Sequence, residues 1–372
     1  MDKNFPTIVH IAPYYPPHTG GLERVAKMCA ENLAIKGYKV LVLTTTESRL
    51  KRGVHETGNL KIIALRSFEF AHTPFAPMFI WQLLRIPKHS IIHLHLAQAY
   101  FPELVMLIAR LRNIPYIVHF HLDVDASGFL GPLFILYKKL FWYSIMHHAQ
   151  TVIACAEDQL EIISRKFNIP KEKITVIQNA VSQDFFSNRI YVPPTKEFKL
   201  LYIGRLAHQK RLERIIEALV KLSIPAHLTI VGDGEELDKL RILADTLNLR
   251  NVSFEGKKND PEMQEYHRTH DLFLLPSDRE GTALVLLEAM AGGLPAIGTD
   301  VEGIHDLLID TGVLVTAPYP ENFAKAIEKL WHNPTLLTEL SKKSVMKAKK
   351  YGWERFMNEL EVVYVKIWNK EQ

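Results

Sequence analysis

Residues 272–299 read L-F-L-L-P-S-D-R-E-G-T-A-L-V-L-L-E-A-M-A-G-G-L-P-A-I-G-T. The apolar run closed by Pro276 predicts a short buried strand, and S-D-R-E-G predicts a loop. Thr282 is a fair N-cap for the apolar stretch that follows, Gly292-Gly293 is a helix stop, and L-P-A-I-G-T predicts the next strand. Strand, helix and strand in this order form the repeating unit of a parallel sheet. The same stretch carries a chemical signal. Glu288 stands alone in an apolar helix, eight residues after Glu280. A desolvated carboxylate needs either an internal cation or a bound group with hydroxyls to donate.

The pattern extends in both directions. Before residue 183, short β-branched runs (I-V-H-I-A, V-L-V-L-T, I-I-A-L, I-I-H-L-H-L, Y-I-V-H-F-H, T-V-I-A-C-A, I-T-V-I) alternate with amphipathic stretches. After residue 198, L-L-Y-I-G, H-L-T-I-V-G and V-S-F-E-G precede the strands already named. Strands separated by helices predict an α/β chain with two parallel sheets. Between the halves, D-F-F-S-N-R-I-Y-V-P-P-T-K-E-F-K loses periodicity and holds two prolines, which predicts a linker. We expect domains at 1–182 and 199–350, a linker at 183–198, and a terminal segment at 351–372. Open α/β sheets bind ligands beyond the carboxyl ends of their strands, so two of them face to face make one deep cleft.

The chain has 372 residues, enough for two cores, and a net charge of +4. The charge is uneven. Residues through Ser182 hold 20 Lys and Arg against 13 Asp and Glu, and the remainder holds 25 against 28. A basic first half suits an anionic lipid surface or an anionic acceptor, and ordinary surface scatter explains it equally well. No basic-aromatic stripe or recognition motif points to nucleic acid. Cys29 and Cys155 are the only cysteines, without C-x-x-C or a Cys/His cluster at ligand spacing, so disulfides and structural zinc are not expected. With no leader and no long apolar run, the expected location is cytoplasmic, at most peripheral on the inner face of a membrane.

Polar residues collect at predicted strand ends. Gly20-Gly21 follows the first strand and opens a helix that ends near Gly37, so exposed amides there suit a phosphate; a tight turn explains the same residues. The G-x-G-x-x-G fingerprint of a dehydrogenase is absent. Arg205 and Lys210, in G-R-L-A-H-Q-K-R, follow a strand and can neutralise a diphosphate leaving group, or form a solvated basic loop. Gly232-Asp233-Gly234 reads as a turn, although its backbone can also approach a base. Glu280 sits at the cleft edge, with Glu288 about two turns down the helix. The amides of Gly281, Thr282 and Ala283 suit sugar hydroxyls or phosphate, and Glu288 suits both hydroxyls of a ribose. His18, His93, His95, His121 and Asp123 lie at strand ends of the first half. F-L-G-P-L-F-I-L-Y-K-K-L-F-W-Y fits a buried helix with a Lys-Lys face, an acceptor channel or a membrane contact.

Together these motifs resemble the retaining glycosyltransferases of family 4, which have the GT-B fold: two Rossmann-like parallel-sheet domains facing across a deep cleft. The resemblance rests on E-x7-E within P-S-x-x-E-G…L-L-E-A-M-A-G-G-L-P, the Gly-Gly turn, P-Y-I-V-H-F-H, V-I-Q-N-A-V, G-R-L-A-H-Q-K and V-G-D-G. The final W-E-R-F-M-N-E-L-E-V-V-Y resembles a terminal helix that returns to the first domain. It implies a nucleoside diphosphate sugar as co-substrate and a hydroxyl acceptor, which the first domain binds. Arg205 and Lys210 match the cations on the donor diphosphate, with Gly20 and Gly21 beneath it, Glu288 on the ribose, and Glu280 beside the transferred sugar. His121 matches a histidine near the reaction centre, while His119 stands where the family often has Thr or Ser. Two departures stand out: N-A-V-S at Asn179 replaces N-G-V-D, and E-G-T-A replaces E-G-F-G. His18, His95 and Asp123 remain as acceptor contacts or as supports for contact residues.

Asp123-Val124-Asp125 resembles the metal-binding D-x-D of the other large glycosyltransferase fold. Two sheets and a cationic clamp for the diphosphate argue against a metal. The expected activity is metal-independent sugar transfer with retention, in glycan, glycolipid or cell-surface polysaccharide synthesis. A nucleotide-sugar epimerase, a phosphorylase, glycosylation of a small metabolite and a catalytically lost binding protein are the competing readings. Lipid-linked saccharides, glycans and small molecules all fit as acceptors.

Overall fold

The computed structural model describes residues 5–371 except 19, 71–72, 97–98, 122–136, 188–190 and 282, and the side chains of 139, 158 and 371 also lie outside the description. The chain divides into two compact units, Met1–Asn179 with Phe356–Gln372, and Ala180–Arg355.

The first unit is built on an eight-stranded sheet. Its strands are β1 (Thr7–Ile11), β2 (Val40–Thr45), β3 (Gly53–Thr57), β4 (Leu60–Leu65), β7 (Ser90–Leu96), β8 (Tyr116–Phe120), β9 (Val152–Ala154) and β10 (Ile174–Val176). Their order is β10-β9-β8-β7-β1-β2-β4-β3, with every pair parallel except β3 against β4. A separate antiparallel ribbon joins β5 (Phe68–Phe70) to β6 (Thr73–Phe75). The helices are α1 (Gly21–Ile35), α2 (Phe79–Arg85), α3 (Phe101–Arg112), α4 (Tyr143–His148), entered through a π turn at Lys138–Trp142, and α5 (Glu157–Phe167). The side chains of α2 to α5 that face the sheet share one core with it.

The second unit holds β11 (Phe198–Ile203), β12 (Ala226–Val231), β13 (Val252–Gly256), β14 (Leu272–Leu275), β15 (Ala296–Thr299) and β16 (Val313–Val315). All pairs are parallel, in the order β13-β12-β11-β14-β15-β16. Its helices are α6 (Glu213–Leu219), α7 (Leu237–Thr246), α8 (Asp260–Thr269), α9 (Leu284–Ala291), α10 (His305–Leu308), α11 (Pro320–Trp331) and α12 (Pro334–Ala348). β14 to β15 is the unit quoted at the outset. Its helix starts at Leu284 with Ala283 in the capping position and no side-chain cap on Ala283, and the cap expected at Thr282 lies outside the described residues.

Both sheets are doubly wound, and each has a point where strand order reverses. In the second it falls between β11 and β14, and in the first between β1 and β7. Loops leaving the carboxyl ends of adjacent parallel strands diverge there and leave a crevice. The last helix, α13 (Trp353–Glu371), packs from Phe356 onward within the first unit. Its Tyr364 hydroxyl lies 2.6 Å from His93 Nδ1. Among the described residues no helix is long and apolar enough to cross a membrane.

Candidate active site

The β11 and β14 loops meet at the reversal of the second sheet. Leaving β11, the chain turns through Gly204 and Arg205 into a short 3-10 turn at His208–Lys210. The amide of Asp278 donates to the Gln209 carbonyl at 2.9 Å, so the loop after β14 is tied to this turn. Arg211 and Arg214 hold Asp278 at 3.2 and 2.6 Å, and Arg214 also donates to the Pro276 carbonyl at 3.0 Å. This clamp sets Glu280. Lys210 Nζ lies 2.7 Å from each of its carboxylate oxygens, and Ser277 Oγ donates to Oε1 at 2.6 Å. Both partners are largely buried, with side-chain exposures of 16% for Lys210 and 8% for Glu280. The carboxylate is thus fixed by an ammonium and a hydroxyl before any ligand arrives.

Arg205 is different. Its guanidinium is 71% exposed and 3.1 Å from Glu235, a loose surface pair that an anion can replace. Its carbonyl accepts from the buried Tyr202 hydroxyl at 3.0 Å. Burial, then the Glu280 charge, pushes the Tyr202 hydroxyl well above the usual phenol range, so it stays a donor. Glycines allow the loops to touch. A Cβ on Gly232 (φ +144°) lies 1.9 Å from the Gly204 carbonyl oxygen, and one on Gly234 lies 2.3 Å from that of Leu206. The G-D-G motif is therefore explained as a turn that packs on the Arg205 loop. Gly303 (φ +76°) also approaches the Glu280 backbone, and a Cβ there would lie 2.6 Å from its carbonyl oxygen. Sequence reading missed Gly303, since a glycine after β15 carries no signal until its loop is placed over Glu280.

Glu288 sits on α9 and is buried, at 4% exposure, about a turn and a half beyond Ala283. Gly281 and Ala283 both precede the first turn of the same helix.

In the first unit, Gly20 caps α1 and Gly21 begins it. The helix's own Glu23 reaches back over this opening. It meets His18 Nδ1 at 2.9 Å, and a Cβ on Gly20 would lie 2.1 Å from its Oε2. His18 is half-exposed and stacks on Tyr14 at 4.6 Å. Asn179 is buried. Asp123 and Asp125, with residues 129–136 of the aromatic basic stretch, lie outside the described residues. Lys138 does not form an exposed Lys-Lys face: it is 5% exposed, with Nζ 5.2 Å above the Trp142 ring.

His93 and His95 are not at an open strand end. They lie inside β7, fully buried, because strand alternation puts both on one face of the sheet. Register adds His10 opposite His93 and His119 opposite His95, and His121 follows β8 on the same side. Five imidazoles stack with neighbouring centroids 4.2–5.4 Å apart. His10 Nδ1 meets His95 Nε2 at 3.1 Å, and His95 Nδ1 meets His121 Nε2 at 2.9 Å. His93 Nε2 meets His119 Nδ1 at 3.1 Å, and the Cys155 sulfur lies 3.4 Å from His119 Nε2. Burial pushes His10 and His121 down to about 3 and the other three well below the usual imidazole range, so all five are neutral at physiological pH.

Two triplets, His10/His93/His95 and His95/His119/His121, bring ring nitrogens within 4.8 Å of one another. An ion must lie in the plane of every ring that binds it. Each triplet contains a stacked pair, His93 on His95 at 9° and His119 on His121 at 25°, whose planes do not converge on one point. The separations are those of hydrogen bonds between neutral rings. Among the described residues His10 Nε2 has no partner. An orphaned acceptor is tolerated better than an orphaned N–H, so His10 carries its proton on Nδ1. His95 and then His121 must follow with the same tautomer.

Residues 184–351 match the family model described as glycosyl transferases group 1, and residues 19–185 match that of glycosyltransferase family 4. The chain belongs to the family 4 glycosyltransferases. This family 4 glycosyltransferase is 26% identical to an uncharacterized glycosyltransferase of Methanocaldococcus jannaschii, over 94% of this chain and 95% of the relative. Among solved structures, sucrose-phosphate synthase from Thermosynechococcus elongatus superposes with a TM-score of 0.82 at 20% identity, covering 98% of this chain and 100% of that one. HepE of Anabaena, in complex with UDP-glucose, superposes with a TM-score of 0.78 at 16% identity, covering 97% and 100%. These likenesses establish the GT-B fold.

Proposed function

We propose that this glycosyltransferase moves a sugar from a UDP- or GDP-sugar to an acceptor hydroxyl with retention of configuration and without a metal. The observation that carries the reading is the clasped Glu280, held by Lys210 and Ser277 at the strand-order reversal of the second sheet. The UDP-glucose complex of HepE supports a nucleotide sugar as co-substrate.

Residues 199–350 hold the donor and residues 1–182 the acceptor, with 183–198 as the linker and 351–372 as the returning helix. Arg205 leaves Glu235 for the diphosphate, and Lys210 shares its charge between Glu280 and the phosphates. Gly20 and Gly21 offer amides to the phosphates. Glu288 accepts from the ribose hydroxyls, and the backbone of Gly281, Thr282 and Ala283 meets the sugar or phosphate. Glu280 fixes the transferred sugar, and the family resemblance assigns the neutral His121 to the same sugar. With a neutral His121 and no side chain among the described residues assigned as nucleophile, departure and attack occur on one face. The bond from C1 to the diphosphate oxygen breaks, the acceptor oxygen bonds to C1, and the acceptor proton passes to the leaving phosphate oxygen.

The acceptor belongs to glycan, glycolipid or cell-surface polysaccharide synthesis. The basic first half supports a cytoplasmic protein in peripheral contact with an anionic membrane. The test is nucleotide release from UDP- and GDP-sugars by purified protein. Release that requires an acceptor supports the reading. Interconversion of free nucleotide sugars without an acceptor, or consumption of orthophosphate, contradicts it.

A further inference from the structure

Three helical elements on one face of the first sheet are apolar on both sides. α2, α3 and the π turn leading into α4 lie side by side. Arg112 of α3 donates to the Leu83 and Ile86 carbonyls at 3.0 and 2.7 Å, and Ser144 of α4 donates to the Met106 sulfur of α3 at 3.4 Å. Their inner side chains, such as Leu83, Val105 and Trp142, belong to the core. Their outer side chains are apolar as well: Trp81, Leu84, Leu107, Leu111, Leu140 and Phe141 are all exposed, Leu111 at 71% and Trp81 at 55%. Six of the 20 large apolar side chains exposed among the described residues fall on these three short elements. This is a patch rather than the scatter normal on a soluble surface.

Within the three elements the exposed charge has one sign. Arg85, Lys88 and Arg110 are exposed around it. Glu103 is the only acidic residue in the three elements. Its carboxylate is largely withdrawn from solvent and accepts from the Tyr137 hydroxyl, and burial raises its pKa. We propose that this face docks on an anionic lipid bilayer, with Trp81 and the leucines entering the headgroup boundary and Arg85, Lys88 and Arg110 meeting lipid phosphates. A second copy of the chain is the poorer occupant, because it would bring the same cations onto three elements whose described residues expose no anion. The proposal gives the peripheral membrane contact inferred above a location. It rests on that contact and not on the chemistry of transfer.

Flotation of the full-length protein with vesicles tests it. We expect the protein to float with phosphatidylcholine mixed with phosphatidylglycerol, to remain behind with phosphatidylcholine alone, and to be released by salt. Arg85→Gln and Arg110→Gln should each weaken binding about fivefold. The pair Leu107→Glu with Leu111→Glu should reduce it by roughly tenfold or more, and Trp81→Glu serves as an independent variant should that pair fail to fold. Nucleotide release with a water-soluble acceptor should be unchanged in the folded variants, which separates a failed docking surface from a failed assignment of activity. Absence of flotation with the anionic vesicles overturns the proposal, as does equal binding by the folded variants. A dimer in sedimentation that dissociates with the Leu107/Leu111 pair also overturns it, by assigning the face to self-association.

Discussion

Glu280 and Lys210 are each legible in the sequence, one from the E-x7-E spacing and the other from the basic loop after a strand. Their pairing is not, because 70 residues separate them and only the neighbouring β11 and β14 bring them together. The pairing changes what a substitution should do. Lys210→Ala removes the cation proposed for the diphosphate and leaves Glu280 desolvated without its ammonium. It should lower stability by about 3 kcal/mol as well as abolish turnover. Lys210→Ala combined with Glu280→Gln should recover much of the stability in denaturant unfolding, but none of the activity. Arg205→Ala behaves otherwise. Its pair with Glu235 is exposed, so stability should stay within roughly 0.5 kcal/mol of wild type while turnover falls.

Most strands could be read from apolar runs, since a buried parallel strand leaves a continuous apolar signature. β3 was missed because G-V-H-E-T is half polar, as suits an antiparallel edge strand, and β16 because three residues carry little pattern. The histidine array was half legible. H-x-H in β7 and again at the end of β8 puts each pair on one face, but only the register shows that His10 joins them. Their folded pKa values lie below the ordinary imidazole value, so they stay neutral while the unfolded chain binds protons. Stability is therefore complete above about pH 6.5 and is lost as pH falls towards 3, by up to about 1.4 kcal/mol per pH unit for each histidine. Denaturant midpoints measured from pH 7.5 down to about pH 5 should fall steeply. A flat profile contradicts the neutral array. Nitrogen-15 shifts should place the protons of His10, His95 and His121 on Nδ1; a proton on His10 Nε2 contradicts the chain of tautomers.

On the scale of the molecule, two sheets were visible as two runs of alternating strands and helices. The return of the chain was visible only through family resemblance, because an amphipathic helix does not declare its partner. In the structure Tyr364 of α13 closes on His93, and Lys36 of α1 reaches Glu361 at 2.5 Å. Tyr364→Phe leaves His93 Nδ1 without its partner and should cost about 1–2 kcal/mol in unfolding. The central claim remains sugar transfer from a nucleotide donor. Acceptor-dependent nucleotide release by wild type and by a folded Glu288→Ala variant tests it most directly. The account predicts turnover by the wild-type protein and its loss in the variant, through weakened hold on the ribose. Normal turnover by Glu288→Ala contradicts the site, and no release from any UDP- or GDP-sugar contradicts the function.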